Sequence, residues 1–392
     1  MAAADQTGTL ERQTRKSAGA IPQLSPSRET HAQTNDHLRS AVRASDRRMW
    51  RRLRHGRDNG PTGGPVSTTT VPTVVPSTIG GPERSSGVLD DLTALSAGFE
   101  QVAVWGPEVG DGRFETPNGL TIDGDGLIYV TDFQGGHLRK FDSAGELIFE
   151  VAGDGVELGQ LTNPIGVAVD GAGTVYVSES GSSRVTIFET DGTPRSTFGS
   201  PGVDVGEFRS AMGLAVNEAA EIFVSDFGNH RVQVFSTTGD FLRTWGEAGT
   251  GPGQLNNPIG LQLDASGSVW VVDSGNERVQ VFTPDGAVVR VFDDVGPGPQ
   301  VISLNADGEF YVASPWVEGR VRHFDADGEL LGYVGHSATD SELAQMSDEE
   351  RERAEALPRL AGPHGTATGP DGAVYLADTA NGIVRKFEPT DR

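Results

Sequence analysis

From Pro164 onward, short apolar runs alternate with polar breaks. IGVAVD is followed by GAG, TVYVSE by SGSS and RVTIFE by TDG, and TPRSTFG closes the unit. Val, Ile, Tyr, Phe and Thr fill the runs, and Gly with Asp or Ser fills the breaks, which is the chemistry of strands joined by tight turns. Four strands in that order make an antiparallel meander. The inner runs are apolar at nearly every position instead of every second one, which predicts burial on both faces.

The pattern repeats. NHRVQVF, ending at Phe235, returns as NERVQVF, ending at Phe282, and the phenylalanines Phe141, Phe188, Phe235 and Phe282 stand 47 residues apart. Phe324 and Phe387 continue the series less regularly, giving six copies. One meander can bury neither face alone. Six packed face to face around an axis bury both, so the expected fold is all-β, a six-bladed β-propeller of four-stranded antiparallel blades. The sixth copy stops after three strands, while a fourth-strand-like segment, GFEQVAVWGPEVGDG, precedes the first full copy. Residues 100–106 are therefore expected to close the last blade. Between copies five and six the chain inserts residues 337–358, which read as one short acidic helix capped at Asp340 or Ser341 and stopped by Pro358. It is expected to act as a lid or a partner-docking element over the loop face.

Charge divides the chain. Residues 1–87 hold 13 Lys/Arg and 7 Asp/Glu, whereas 88–392 hold 18 and 48, for a net charge of −24 over 392 residues. The stretch 60–87 is a Pro/Thr/Gly linker that cannot bury enough apolar surface to fold. Upstream, Leu38, Ala41, Val42, Met49, Trp50 and Leu53 share one helical face among arginines. The division expected is a disordered basic tail with its linker, 1–87, and a propeller, 88–392. The tail suits an anionic surface. The acidic propeller repels phosphate, which argues against nucleic acid as its partner. With no cysteine there are no disulfides or thiolate metal sites. No apolar run is long enough to span a membrane, and the N-terminus has no apolar leader core, so a cytoplasmic protein is expected.

Pro258, Gly260 and Asp264, then Trp270 and Asp273, then Asn276 and Arg278 carry a family pattern. It reads P-x-G-[VLI]-x-[VLI]-[DN], [IV]-[YFW]-V-x-D and N-x-R-[VI]-x-x-F. Over most of 88–392 the chain resembles the NHL-repeat propellers. The recurring acids Asp132, Glu179, Asp226, Asp273 and Asp378 read as structural: each can accept turn N–H groups and pair with the arginine five residues on. Copy one departs with His137 and copy six with Ile383 where the others have arginine, and copy five has SPWVEG where the others have a short turn.

The resemblance implies a ligand- or protein-binding scaffold working through the face that carries the second-to-third-strand turns and the blade connections. On that face the candidates are Phe133, His137, Phe227, His230, Trp316 and Glu318, aromatics and acids suited to a peptide or a cationic ligand. The middle residue of each Pro-x-Gly position should stand at the channel mouth: Asn118, Ile165, Met212, Ile259, Gln300 (where the match is imperfect) and His364. Asn118 and His364 complete the binding set, and the partner expected is a protein or peptide, or a small molecule at that mouth. Six-bladed relatives include lactonases and lyases that hold a metal there, which supplies the alternative function. For that alternative His364 is the single catalytic candidate, with His336 or Asp378 as helpers and calcium or zinc as the cofactor. One imidazole with two amides is a poor ligand set, so no metal residues are assigned and a non-enzymatic role leads.

Overall fold

In the computed structural model the described residues are 99–106, 114–336, 343–345, 347–348, 351 and 358–390. The basic tail and linker lie outside them, as does most of the 337–358 insertion. Of that insertion, Arg351 N donates to Ser347 O at 2.9 Å, the spacing of a helical hydrogen bond, and the Arg351 side chain donates from Nε to Leu343 O at 3.0 Å.

Six four-stranded sheets form the ring, five of them in simple meander order. Blade four shows the unit: Pro258–Leu263, Val269–Asp273, Arg278–Phe282 and Val288–Phe292, running from the axis outward. Its second and third strands are buried at every position, because both faces are covered by neighbouring blades. Trp245 and Val232 of blade three pack with Val271 and Phe282 of blade four, and similar layers fill the other gaps. A phenylalanine buried in this way stabilises the fold by roughly 1.5–3 kcal/mol. Blade six consists of Pro363–Thr368, Val374–Asp378 and Ile383–Pro389, and Phe99–Trp105 pairs antiparallel with the last of these. The N-terminal strand thus closes the ring, and no blade is left with an open third strand.

Two repeat elements have packing causes. The glycine of Pro-x-Gly stands where the next inner strand passes. A Cβ on Gly166 would lie 2.7 Å from Met212 O, and one on Gly260 would lie 2.6 Å from Gln300 O. Hydroxyls then tie blade to blade. Thr131 donates to Ile165 O at 2.8 Å and Ser225 to Ile259 O at 2.6 Å, while Thr379 of blade six donates to Pro117 O of blade one at 2.5 Å.

The recurring acids are the fold's polar latches, each fully buried. Asp273 accepts from Asn256 N at 2.6 Å, Asn276 Nδ2 at 2.8 Å, Arg278 Nε at 2.8 Å and Gln280 Nε2 at 3.0 Å. Glu179 with Arg184 and Asp226 with Arg231 follow the same five-residue step, at 2.7 and 2.8 Å. That step fails in blades one and six. There Asp132 pairs with Arg139 at 3.2 Å and Asp378 with Arg385 at 2.7 Å. The arginine has moved two residues along the third strand, which keeps it on the same face, because strand side chains alternate. His137 and Ile383 are possible at the vacated position for that reason.

A candidate binding pocket at the channel mouth

Two halves meet at the axis on the loop face. Ile165 and Ile259, the central residues of the Pro-x-Gly elements in blades two and four, and Met212, at the same position in the Ala-Met-Gly of blade three, form an apolar crescent with Phe133 and Phe227. Asn118, Gln300 and His364 hold the equivalent positions in blades one, five and six and make a polar crescent opposite. Trp316 and Thr379 complete that wall, and the space between the halves is about 30 Å³. This volume admits a water or two, or the end group of a larger ligand, but not a whole small molecule.

His364 is 6% exposed. Its Nδ1 lies 2.8 Å from Gly362 O and 2.9 Å from Thr379 Oγ1. A carbonyl oxygen only accepts, so Nδ1 carries the proton and Nε2 keeps its lone pair. Burial lowers the imidazole pKa from 6.5 to about 4, so the ring is neutral at pH 7. The Trp316 ring stands edge-on to it, centroids 4.4 Å apart. Trp316 Nε1 is buried and has no hydrogen-bond partner. An unmet buried donor of this kind costs about 1–3 kcal/mol, which an incoming acceptor would recover.

Of the residues singled out from the sequence, Asn118, Phe133, Trp316 and His364 line this pocket. Phe133 and Phe227 are buried, not exposed, because they cap the apolar crescent. His137 joins the blade-one latch, 2.6 Å from Arg139 and 3.5 Å from Glu150. His230 Nδ1 accepts from Asn257 N at 3.1 Å, and Glu318 accepts from Arg322 at 2.8 Å. All three make local contacts within or between adjoining blades. Thr379 went unrecognised in the sequence, although its place next to the Asp378 latch was a usable signal. Among the described residues no three His, Asp or Glu side chains stand close enough to share a metal ion. The donors at the mouth are one imidazole and two amides, which do not make a zinc or calcium set. The DGDG turn is an ordinary hairpin: Asp123 Oδ1 accepts from Asp125 N and Leu127 N at 3.0 and 2.9 Å.

The sequence profile of the NHL repeat matches residues 161–188, 208–235 and 255–282. The chain thus carries NHL repeats within its six-bladed propeller. The matched NHL repeats build blades two to four, the blades that supply the apolar crescent. Among curated proteins none matches the chain in sequence. Solved structures do match in fold. A streptogramin B lyase is 15% identical over 75% of this chain and 98% of its own, with a TM-score of 0.52. A catalytically inactive histidine-to-alanine variant of virginiamycin B lyase from Staphylococcus aureus, solved with quinupristin, is 13% identical over 74% of this chain and 99% of its own, with a TM-score of 0.51. A gluconolactonase from Xanthomonas campestris is 16% identical over 71% and 87%, with a TM-score of 0.50. At such identities the likeness of these proteins to the NHL propeller is one of fold. No helix among the described residues is long and apolar enough to cross a membrane.

Proposed function

We propose that the propeller is a binding module that receives a neutral polar end group, such as a carboxamide or a peptide unit, at the channel mouth. One observation carries this reading: a buried indole N–H without an acceptor stands beside an imidazole whose Nε2 lone pair is free. A carboxamide offers one acceptor and one donor to that pair. The amides of Asn118 and Gln300 can serve the same group, and the apolar crescent takes the carbon skeleton behind it. The small volume favours the tip of a peptide over an enclosed small molecule.

The lyases and the lactonase of similar fold keep an enzymatic reading alive, with His364 as its one titratable group at the mouth. A general base works best with a pKa near the working pH, and burial holds His364 well below that. It therefore suits accepting a hydrogen bond better than abstracting a proton. The test is binding of the full-length chain to an array of amidated and free-acid peptides, with a Trp316→Phe variant alongside. Amidated peptides retained by the wild type should bind at least about tenfold more weakly to the variant, the loss of one good hydrogen bond. An identical bound set for both proteins overturns the reading.

A further inference from the structure

Blade five consists of Val301–Leu304, Phe310–Ser314, Arg320–Phe324 and Leu330–Val334. In its register Ser314 faces Arg320, as Asp273 faces Arg278 in blade four, Asp226 faces Arg231 in blade three and Glu179 faces Arg184 in blade two. Blade five has therefore kept the arginine and replaced the carboxylate by serine. Arg320 is 7% exposed, and its Nε is buried without a hydrogen-bond partner. Ser314 Oγ, directly across the ladder, is buried and equally unpartnered. In blades two to four the matching Nε donates to a carboxylate at 2.7–2.8 Å.

Among the described residues no carboxylate pairs with Arg320. Glu318, in the turn, is taken by Arg322, its Oε1 accepting from Nη2 at 2.8 Å. Arg322 occupies the register position of Gln280 of blade four, so blade five places a second arginine where blade four has an amide. Arg320 has instead the ring face of Tyr333, with its Cζ 5.1 Å from the centroid. A ring quadrupole answers only part of a full charge. Guanidinium cannot lose its proton to relieve burial, as a lysine can. Among the described residues, the buried side-chain nitrogen and oxygen atoms with neither a hydrogen bond nor an ion pair are Trp245 Nε1 and three of this turn and its flanks, Ser314 Oγ, Trp316 Nε1 and Arg320 Nε.

We propose that this turn is a binding site for a carboxylate, which would stand between Ser314 and Arg320 where Asp273 stands in blade four. A carboxylate answers both unmet donors at once: one oxygen takes the guanidinium Nε–H and the other the serine O–H. The site does not rest on the reading of the channel mouth, although Trp316 belongs to the same turn. Its occupant is a free small carboxylate or the side-chain carboxylate of a bound peptide.

The test is thermal unfolding of the full-length chain at neutral pH in sodium formate and in sodium chloride of equal ionic strength. Formate should raise Tm saturably above chloride by about 2–4 °C. Ser314→Asp carries its own carboxylate, so it should melt about as high without formate and show no further response. Arg320→Met should also lose the response, and it serves if Ser314→Asp fails to fold. A doubly blocked aspartate peptide distinguishes the sources. A rise with formate alone assigns a free anion, and a rise with both assigns a peptide side chain as well. Equal curves in formate and chloride for the wild type overturn the proposal, as does a full formate response in both variants.

Discussion

Blades four and five are built from the same strand order, yet they treat polar groups in opposite ways. In blade four, Asp273 gathers a backbone N–H, an asparagine, an arginine and a glutamine, and the latch region is saturated. In blade five, Ser314 stands in its place and three donors, Ser314 Oγ, Trp316 Nε1 and Arg320 Nε, are buried with nothing to bond. The saturated blade is framework. The unsaturated one gives up stability at the loop face, where an incoming group can restore it, and such local breaks of a repeated rule are where function is expected. The NHL profile divides the ring in a related way: the blades it matches contribute isoleucines and a methionine to the channel mouth, while the others contribute Asn118, Gln300 and His364.

The contrast can be broken most severely at Asp273. Asp273→Ala would strand a buried guanidinium and two amides, and should cost about 3–5 kcal/mol in urea unfolding. A loss under about 1 kcal/mol would mean the latches are not framework. The next largest effect is a pH dependence at His364. The folded protein holds this imidazole neutral down to about 4, whereas the unfolded chain takes up a proton near 6.5. Its contribution is therefore fully present above pH 6.5 and is lost as pH falls toward 4. Between pH 7.5 and 4.5 the wild type should lose about 3 kcal/mol more than His364→Asn, measured by urea titrations at the two pH values. Parallel losses in the two proteins would mean that burial does not control the ring. The smallest effect sharpens the comparison from the other side. Ser314→Ala removes a hydroxyl that bonds to nothing, so it should change stability by no more than about 0.5 kcal/mol, against the severe loss at Asp273.

Much of this arrangement is legible in the sequence alone. The period ending at Phe188, Phe235 and Phe282 named the blades, and the missing fourth strand of the sixth copy pointed to Phe99–Trp105 as its replacement. Asn118, Gln300 and His364 could be grouped because one repeat position in blades that adjoin around the ring must converge at the axis. Other features were not legible. The shift of the latch arginine to Arg139 and Arg385 depends on which third-strand residues share a face with the acid, and DFQGGH and DFGNH do not reveal that Phe133 and Phe227 turn inward over Met212. Arg320 looked like one more framework arginine, since its own strand, RVRHF, obeys the repeat.

The sequence by itself determined the class of fold, the number of blades, the closure of the ring and the framework role of its repeated residues. Those properties follow from periodicity, and a period is a local signal copied along the chain. Tertiary structure alone decided which polar groups are satisfied: that Trp316 has no acceptor, that His364 keeps its proton on Nδ1, and that Arg320 Nε finds no other acceptor in place of the missing carboxylate. Hydrogen bonding and burial depend on distances between residues far apart in sequence, and a donor is left unmet only when everything packed around it fails to answer.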